Sequence, residues 1–162
     1  MIGAGTLFGV RPPENFNKPF IARNVSDYWQ RHHRSLTLWL TDYIYTPILK
    51  AFLESNRFCA RPLLVISLSL LITMFVSGMW HGTTGGFLVF GLLHGFYLVA
   101  YRTWDAFLNR KFSKKQVREW RSRLWVHALS VALTFNAVSF ALIFFQLGIR
   151  EGLMVVVRLV SL

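Results

Sequence analysis

Charge is scarce in this 162-residue chain: 15% of its residues are Asp, Glu, Lys or Arg, against about 25% in a soluble globular domain. Acids are scarcer still, seven against eighteen Lys and Arg, for a net charge of +11 at pH 7. A soluble nucleic-acid binder as basic as this would not also be 54% hydrophobic. Nucleic acid is therefore set aside as a partner, and apolar runs joined by basic loops predict a membrane protein. Cysteine is nearly missing. Cys59 alone permits neither an internal disulfide nor a CxxC zinc or redox motif, and beside Arg57 and Arg61 it reads as an inert thiol before a palmitoylation site. Met1–Val10 has no basic n-region, so it is not a signal peptide. HxxxH, HExxH, GxxxxGK[ST] and GxSxG are all missing, so no metal site, phosphate loop or nucleophile elbow is expected.

What the chain does have is long apolar stretches. Pro62 to Tyr101 carries no Asp, Glu, Lys or Arg, too long for a single crossing of about 20 residues. Three glycines in Gly82-Thr83-Thr84-Gly85-Gly86 interrupt it, and each weakens a helix by roughly 1 kcal/mol relative to Ala. The expectation is two helices, Leu63–Trp80 and Phe87–Tyr101, joined by that turn. A second uncharged run, Leu124 to Ile149, is bounded by Arg123 and Arg150 and is long enough to span with some tilt. The stretch between them, Arg102–Arg123, is rich in Lys and Arg. Cations beside span ends resist translocation, so this loop is expected in the cytoplasm, touching anionic headgroups.

The first part of the chain differs, with most of the prolines and many aromatics. Ser26 can cap a helix opening at Asp27, and Leu36, Trp39, Leu40, Tyr43, Ile44, Ile48 and Phe52 recur at helical spacing, with Pro47 expected to kink or break the run. The resulting fold class is all-α: polytopic membrane helices, about three spans, preceded by interfacial or re-entrant helices. The expected layout is 1–61 interfacial or re-entrant, 62–101 a helical hairpin, 102–123 a basic loop, 124–149 a transmembrane helix and 150–162 a tail.

Ionisable groups within membrane runs are default functional candidates, and here they are His81, His94 and His127. His81 is the sharpest. It ends an apolar helix in Ser77-Gly78-Met79-Trp80-His81-Gly82, where small residues admit a close backbone or substrate and Trp80 can wall a pocket. A neutral buried imidazole can accept a hydroxyl proton; the competing reading is a structural hydrogen bond across the bundle. For His94, in Gly91-Leu92-Leu93-His94-Gly95, an interhelical hydrogen bond is favoured over chemistry. His127 reads as interfacial. The glycine break between His81 and His94 spoils their spacing as haem ligands on one helix. His32 and His33 are adjacent and would point apart on a helix, so at most one joins His81. Arg31 and Arg34 could hold an anionic donor or acceptor group, or snorkel at the interface.

Two ordered blocks resemble the membrane-bound O-acyltransferases. The first is Asn15-Phe16-Asn17-Lys18-Pro19-Phe20, Ser26-Asp27-Tyr28-Trp29, Arg31, His33-Arg34-Ser35-Leu36, Trp39 and Asp42-Tyr43-Ile44-Tyr45 with Pro47; the second is Gly78-Met79-Trp80-His81-Gly82 followed by Gly91-Leu92-Leu93-His94-Gly95. The branch resembled is the bacterial one that O-acetylates alginate and other exopolysaccharides, with the teichoic acid D-alanyltransferases as relatives. The resemblance implies acyl transfer from a thioester-type donor, used as co-substrate without a cofactor, to a polysaccharide hydroxyl. It implies His81 as general base and His33 as a second catalytic histidine that orients or assists. Asn17, Arg31, Arg34, Asp42, Trp80 and His94 are then candidates for shaping the substrate and donor sites. It also implies a multi-pass protein of the bacterial plasma membrane, and that this chain matches the C-terminal portion of a longer one, completed by an N-terminal half or by other subunits of an O-acetylation complex. Two departures stand out: His32 occupies a position where the family usually has Trp, and Phe144-Phe145-Gln146 lies where a Phe-Arg pair is common. The alternatives are a non-catalytic or degenerate membrane subunit, and a small transporter or channel subunit lined by His81 and His94.

Overall fold

The computed structural model describes residues 6–10, 13–55 and 61–161; Cys59 and Arg57 lie outside them. Among these residues the regular elements are helical, in the order α1 (Val25–Arg31), α2 (Arg34–Leu40), α3 (Thr46–Glu54), α4 (Pro62–His81), α5 (Gly85–Lys111), α6 (Lys114–Ser122) and α7 (Leu124–Val160). Of these, α4, α5 and α7 are long and apolar enough to cross a membrane. The all-α class and its three candidate spans agree with the sequence, while several boundaries moved for identifiable reasons.

The hairpin α4–α5 is the centre of the bundle, held together where Gly78 meets Gly91. A Cβ on Gly78 would lie 2.5 Å from the Phe87 carbonyl oxygen and 3.2 Å from the Gly91 Cα. Only hydrogen at both positions lets the two backbones touch, the small-residue crossing that apolar surroundings favour. The connecting turn is shorter than the glycines suggest. Thr84 is the N-cap and the helix restarts at Gly85, and α7 packs so closely there that a Cβ on Gly86 would collide with Phe144 and Gly148. Gly86 thus serves packing against α7, not the turn. Helix α5 then runs to Lys111, ten residues past Tyr101, taking Arg102–Lys111 out of the expected loop. The remaining loop also folds: α6 opens with a capping box in which Ser113 accepts from the Gln116 N–H and the Gln116 side chain returns to the Ser113 N–H.

Helix α7 continues to Val160 instead of stopping near Ile149. Gly148, at φ 77° and ψ −176°, breaks it without ending it. That conformation is open to glycine and strained for other residues. Past the break Gly152 is buried against the Phe144 ring, so the tail packs on the bundle.

Helix α1 is wedged against the spans. Ala22, Val25, Tyr28 and Trp29 form one buried cluster with Met74 of α4, Leu98 of α5 and Val138 of α7. Its cap is Asn24, not Ser26: the Asn24 carboxamide oxygen accepts from the Asp27 N–H at 2.8 Å. The Asp27 carboxylate takes the Arg23 N–H and the Arg31 Nε–H, the latter at 2.7 Å. Asn24→Ala should lower thermal stability by about 1 kcal/mol, read as a lower unfolding midpoint in detergent, while Ser26→Ala should not move it.

Pro47 does not stop its helix. It sits in the first turn of α3, just after a π turn over Thr41–Tyr45 that joins α2 to α3. Proline cannot donate to the carbonyl four residues back and its ring crowds it; the wider π turn accommodates both. The real break lies earlier, at His33, whose backbone is left-handed (φ 47°, ψ 52°).

Candidate active site

The histidines converge through backbone geometry that the helix pattern does not announce. His32 is the C-cap of α1 and His33 the left-handed residue that turns the chain into α2. A left-handed non-glycine residue is uncommon and costs roughly 1–2 kcal/mol, so surrounding bonds must hold it. They come from an extended strap, Asn15 to Asn17. The Asn15 carbonyl accepts from the Arg34 N–H at 3.0 Å, its carboxamide oxygen accepts from the Ser35 N–H at 2.9 Å, and the Asn17 N–H donates to the Arg31 carbonyl at 2.8 Å. The Thr37 hydroxyl closes the turn from the other side by donating to the Trp29 carbonyl at 2.8 Å. Phe16, carried on the same strap, places its ring 5.1 Å from His32 and 6.0 Å from His33.

Because the turn interrupts the helix, His32 and His33 join one group, contrary to the expectation that at most one could. The His33 ring lies 6.4 Å from Trp80, and Trp80 lies 4.9 Å from His81. His32 stacks on Tyr28 at 4.9 Å, and Tyr28 and Trp29 lie against His94 at 6.3 and 5.4 Å. Burial, with the imidazoles of His33 and His81 nearby, holds His32 below the usual histidine range, so it is neutral at pH 7.

His81 is half-buried rather than sunk, with its ring edge-on to Phe145 of α7 at 4.9 Å and near Phe87 and Phe90 of α5 at 6.1 Å each. Beside it Trp80 is 60% exposed. The fully buried histidine is His94. Its Nδ1 lies 3.0 Å from the Phe90 carbonyl of its own helix, replacing the interhelical bond expected of it. A carbonyl only accepts, so Nδ1 carries the proton and Nε2 is a buried lone pair. That Nε2, Trp29 Nε1, His32 Nδ1 and His33 Nδ1 find no hydrogen-bond partner among the described residues. So many orphaned polar atoms in one place depart from the usual pairing of buried groups and mark where a polar ligand would gain.

The other candidates divide. Arg31 is held by Asp27 and braces α1. Arg34 is exposed and anchors the strap through its backbone; Asn17 also contributes its backbone, with an exposed side chain. Asp42 is exposed on the π turn and makes no hydrogen bond to the histidines. Asn15, Phe16, Tyr28 and Phe145 escaped the sequence reading as site residues. Asn15 and Phe16 carry no ionisable group to draw notice, and Phe145 reaches the site only through tertiary packing.

The family model for MBOAT, the membrane-bound O-acyltransferase family, matches residues 2–144. The chain belongs to this family. It is 29% identical over 146 residues to the teichoic acid D-alanyltransferase of Bacillus subtilis, covering 90% of this chain and 35% of that protein. It is 31% identical over 158 residues to the peptidoglycan O-acetyltransferase of Helicobacter pylori, covering 97% and 26%. To the probable alginate O-acetylase of Azotobacter vinelandii it is 33% identical over 132 residues, covering 82% and 23%. The chain thus spans about a third or less of the length of these curated relatives. Membership fits the apolar helices and places the histidine group in an acyltransferase family.

Proposed function

We propose that this chain carries the reacting histidines of a membrane O-acyltransferase that moves an acetyl or similar acyl group from a thioester-type donor to a hydroxyl of an exported polysaccharide. The observation that carries the reading is the meeting of His33 and His81 across Trp80 from elements far apart in sequence. The relatives' names, O-acetyl transfer for peptidoglycan and alginate and D-alanyl transfer for teichoic acid, give the acyl and acceptor class.

In this reading a His81 nitrogen takes the acceptor's O–H proton as its oxygen bonds to the acyl carbonyl carbon. The carbon–sulfur bond then breaks, and the imidazolium returns the proton to the departing thiolate. His33 orients the reactants, and the unpartnered Trp29 Nε1–H is the donor available to the oxyanion that develops. Helix α5 is about 40 Å long by its 1.5 Å rise and separates the His81 end from the basic end at Arg110 and Lys111. With the basic end in the cytoplasm, His81 sits toward the outer face of the plasma membrane, where an exported polymer passes. Other subunits, or further segments of a longer protein, complete the donor path.

The test is acyl-ester formation on isolated polymer by membranes containing the chain with its native neighbours, supplied with labelled acyl thioester. His33→Gly keeps the left-handed turn and removes the ring; His33→Val removes the ring and strains the turn by roughly 1–3 kcal/mol. Loss of labelling in His33→Gly with unchanged thermal stability supports a role for the ring. Full labelling in His33→Gly removes His33 from the chemistry. Histidine-dependent solute flux without ester formation would instead favour a transporter.

A further inference from the structure

At the far end of α5 from His81, two cavities meet across α6. One is a cleft of about 390 Å³ lined by Arg23, just before the Asn24 cap of α1, Asn109 of α5, and Lys114, Arg118, Arg121 and Ser122 of α6. The other is a groove of about 430 Å³ lined by Trp104, Leu108, Phe112, Gln116, Val117 and Trp120, with little polar surface. Val117 lines both. The charges in the cleft are nearly all of one sign. Arg121 is neutralised by Asp105 at 2.7 Å, but among the described residues no carboxylate forms an ion pair with the side chain of Arg23, Lys114 or Arg118; Asp27 takes only the backbone N–H of Arg23. These three come from two elements separated by some ninety positions, so tertiary packing and not a local charge run assembles them. Trp104 and Phe112 in the groove are about half exposed.

A cationic cleft joined to an apolar trough, beginning just past the point where α5 leaves its uncharged stretch at Tyr101, fits one molecule with an anionic head and a hydrocarbon tail. We infer that this is a binding site for an anionic phospholipid, its phosphate held by Arg23, Lys114 and Arg118 and an acyl chain lying along Trp104, Leu108, Phe112 and Trp120. The Asn109 carboxamide already donates to Asp105, which leaves the arginines and lysine to supply the phosphate contacts. A bound lipid would tie α1 to α6 and so brace the helix that positions His32 and His33. This goes beyond the acyl-transfer reading and stands or falls apart from it.

The test uses the full chain in neutral detergent, titrated with phosphatidylglycerol or phosphatidylcholine carrying brominated acyl chains, with tryptophan quenching as the readout. Trp104→Phe/Trp120→Phe identifies the part of the signal that comes from the groove. The expected result is saturable quenching by phosphatidylglycerol at a concentration at least about tenfold below that for phosphatidylcholine. Arg23→Gln and Arg118→Gln should each raise the half-quenching concentration by about fivefold, since each near-surface cation contributes roughly that factor. Lys115→Gln, which removes a cation outside the cleft that lies near Glu119, should leave it unchanged. Equal quenching by the two lipids, or a wild-type half-point in both Arg23→Gln and Arg118→Gln, overturns the site. Displacement of the lipid by millimolar inorganic phosphate assigns the cleft to free phosphate and overturns the lipid.

Discussion

Replacing His81 with Ala is expected to lower acyl-ester formation by about 10²- to 10⁴-fold, the usual contribution of a positioned general base, while leaving the protein folded. Both halves of that expectation come from its surroundings. The ring is half-buried and edge-on to Phe145, Phe87 and Phe90, so removing it gives up part of an aromatic contact, not a filled core. It lies at the end of α4, where Gly82, at a positive φ of 149° that favours glycine, already ends the helix, so the helix has little to lose. Activity and thermal midpoint should therefore separate: ester formation falls to near background and the midpoint moves little. His94→Ala should behave in the opposite sense. That ring is fully buried and touches Trp29, Tyr28, Phe90 and Tyr97, so its loss opens a cavity, and the cost of such a truncation reaches several kcal/mol. Retained ester formation in a stable His81→Ala protein would remove the general base from the mechanism.

Gly91→Leu is expected to give the largest loss of stability. A Cβ on Gly91 would collide with the Met74 carbonyl oxygen and one on Gly78 with the Phe87 carbonyl oxygen, each with the other glycine's Cα close behind, and the obstruction is backbone, which cannot rotate away. Overpacking usually costs about 1–3 kcal/mol because side chains and backbone can shift; here the whole of α4 must move off α5, so the cost lies at or above the top of that range. Even Gly91→Ala, which gains helix propensity by roughly 0.5–1 kcal/mol, should come out destabilising, because the collision outweighs that gain. Thermal unfolding in detergent and the yield of monodisperse protein measure both. Wild-type stability in Gly91→Leu would mean that the helices do not cross where the two glycines meet. Because His81 and His94 belong to the helices that meet there, a partly folded Gly91→Ala protein should lose activity in proportion to its loss of stability.

How much of this was legible beforehand differs from element to element. The spans were, because a run from Pro62 to Tyr101 without charge has few other uses. His81 stood out because an imidazole in apolar company is conspicuous, and His33 through the family resemblance of the block that holds it. The ends of helices were not legible. Arg102–Lys111 looks like loop by charge yet is helix, since charged residues tolerate a helix that has already been nucleated in the membrane. Gly85 and Gly86 look like turn yet are helix, since their missing side chains make room for α7.

Composition and charge by themselves determined that the chain is helical and enters a membrane, because an uncharged run of that length must satisfy its backbone internally. Its two histidine blocks determined which residues to watch. Only the tertiary structure decided that His32 and His33 share one group with His81 and His94, because the joining feature is a left-handed residue held by a strap from Asn15 to Asn17. It alone decided that His94 is the buried ring and His81 the accessible one, and that Arg23 meets Lys114 and Arg118. Side-chain periodicity reports the environment of a face, whereas meetings between distant segments are set by packing, which no local pattern encodes.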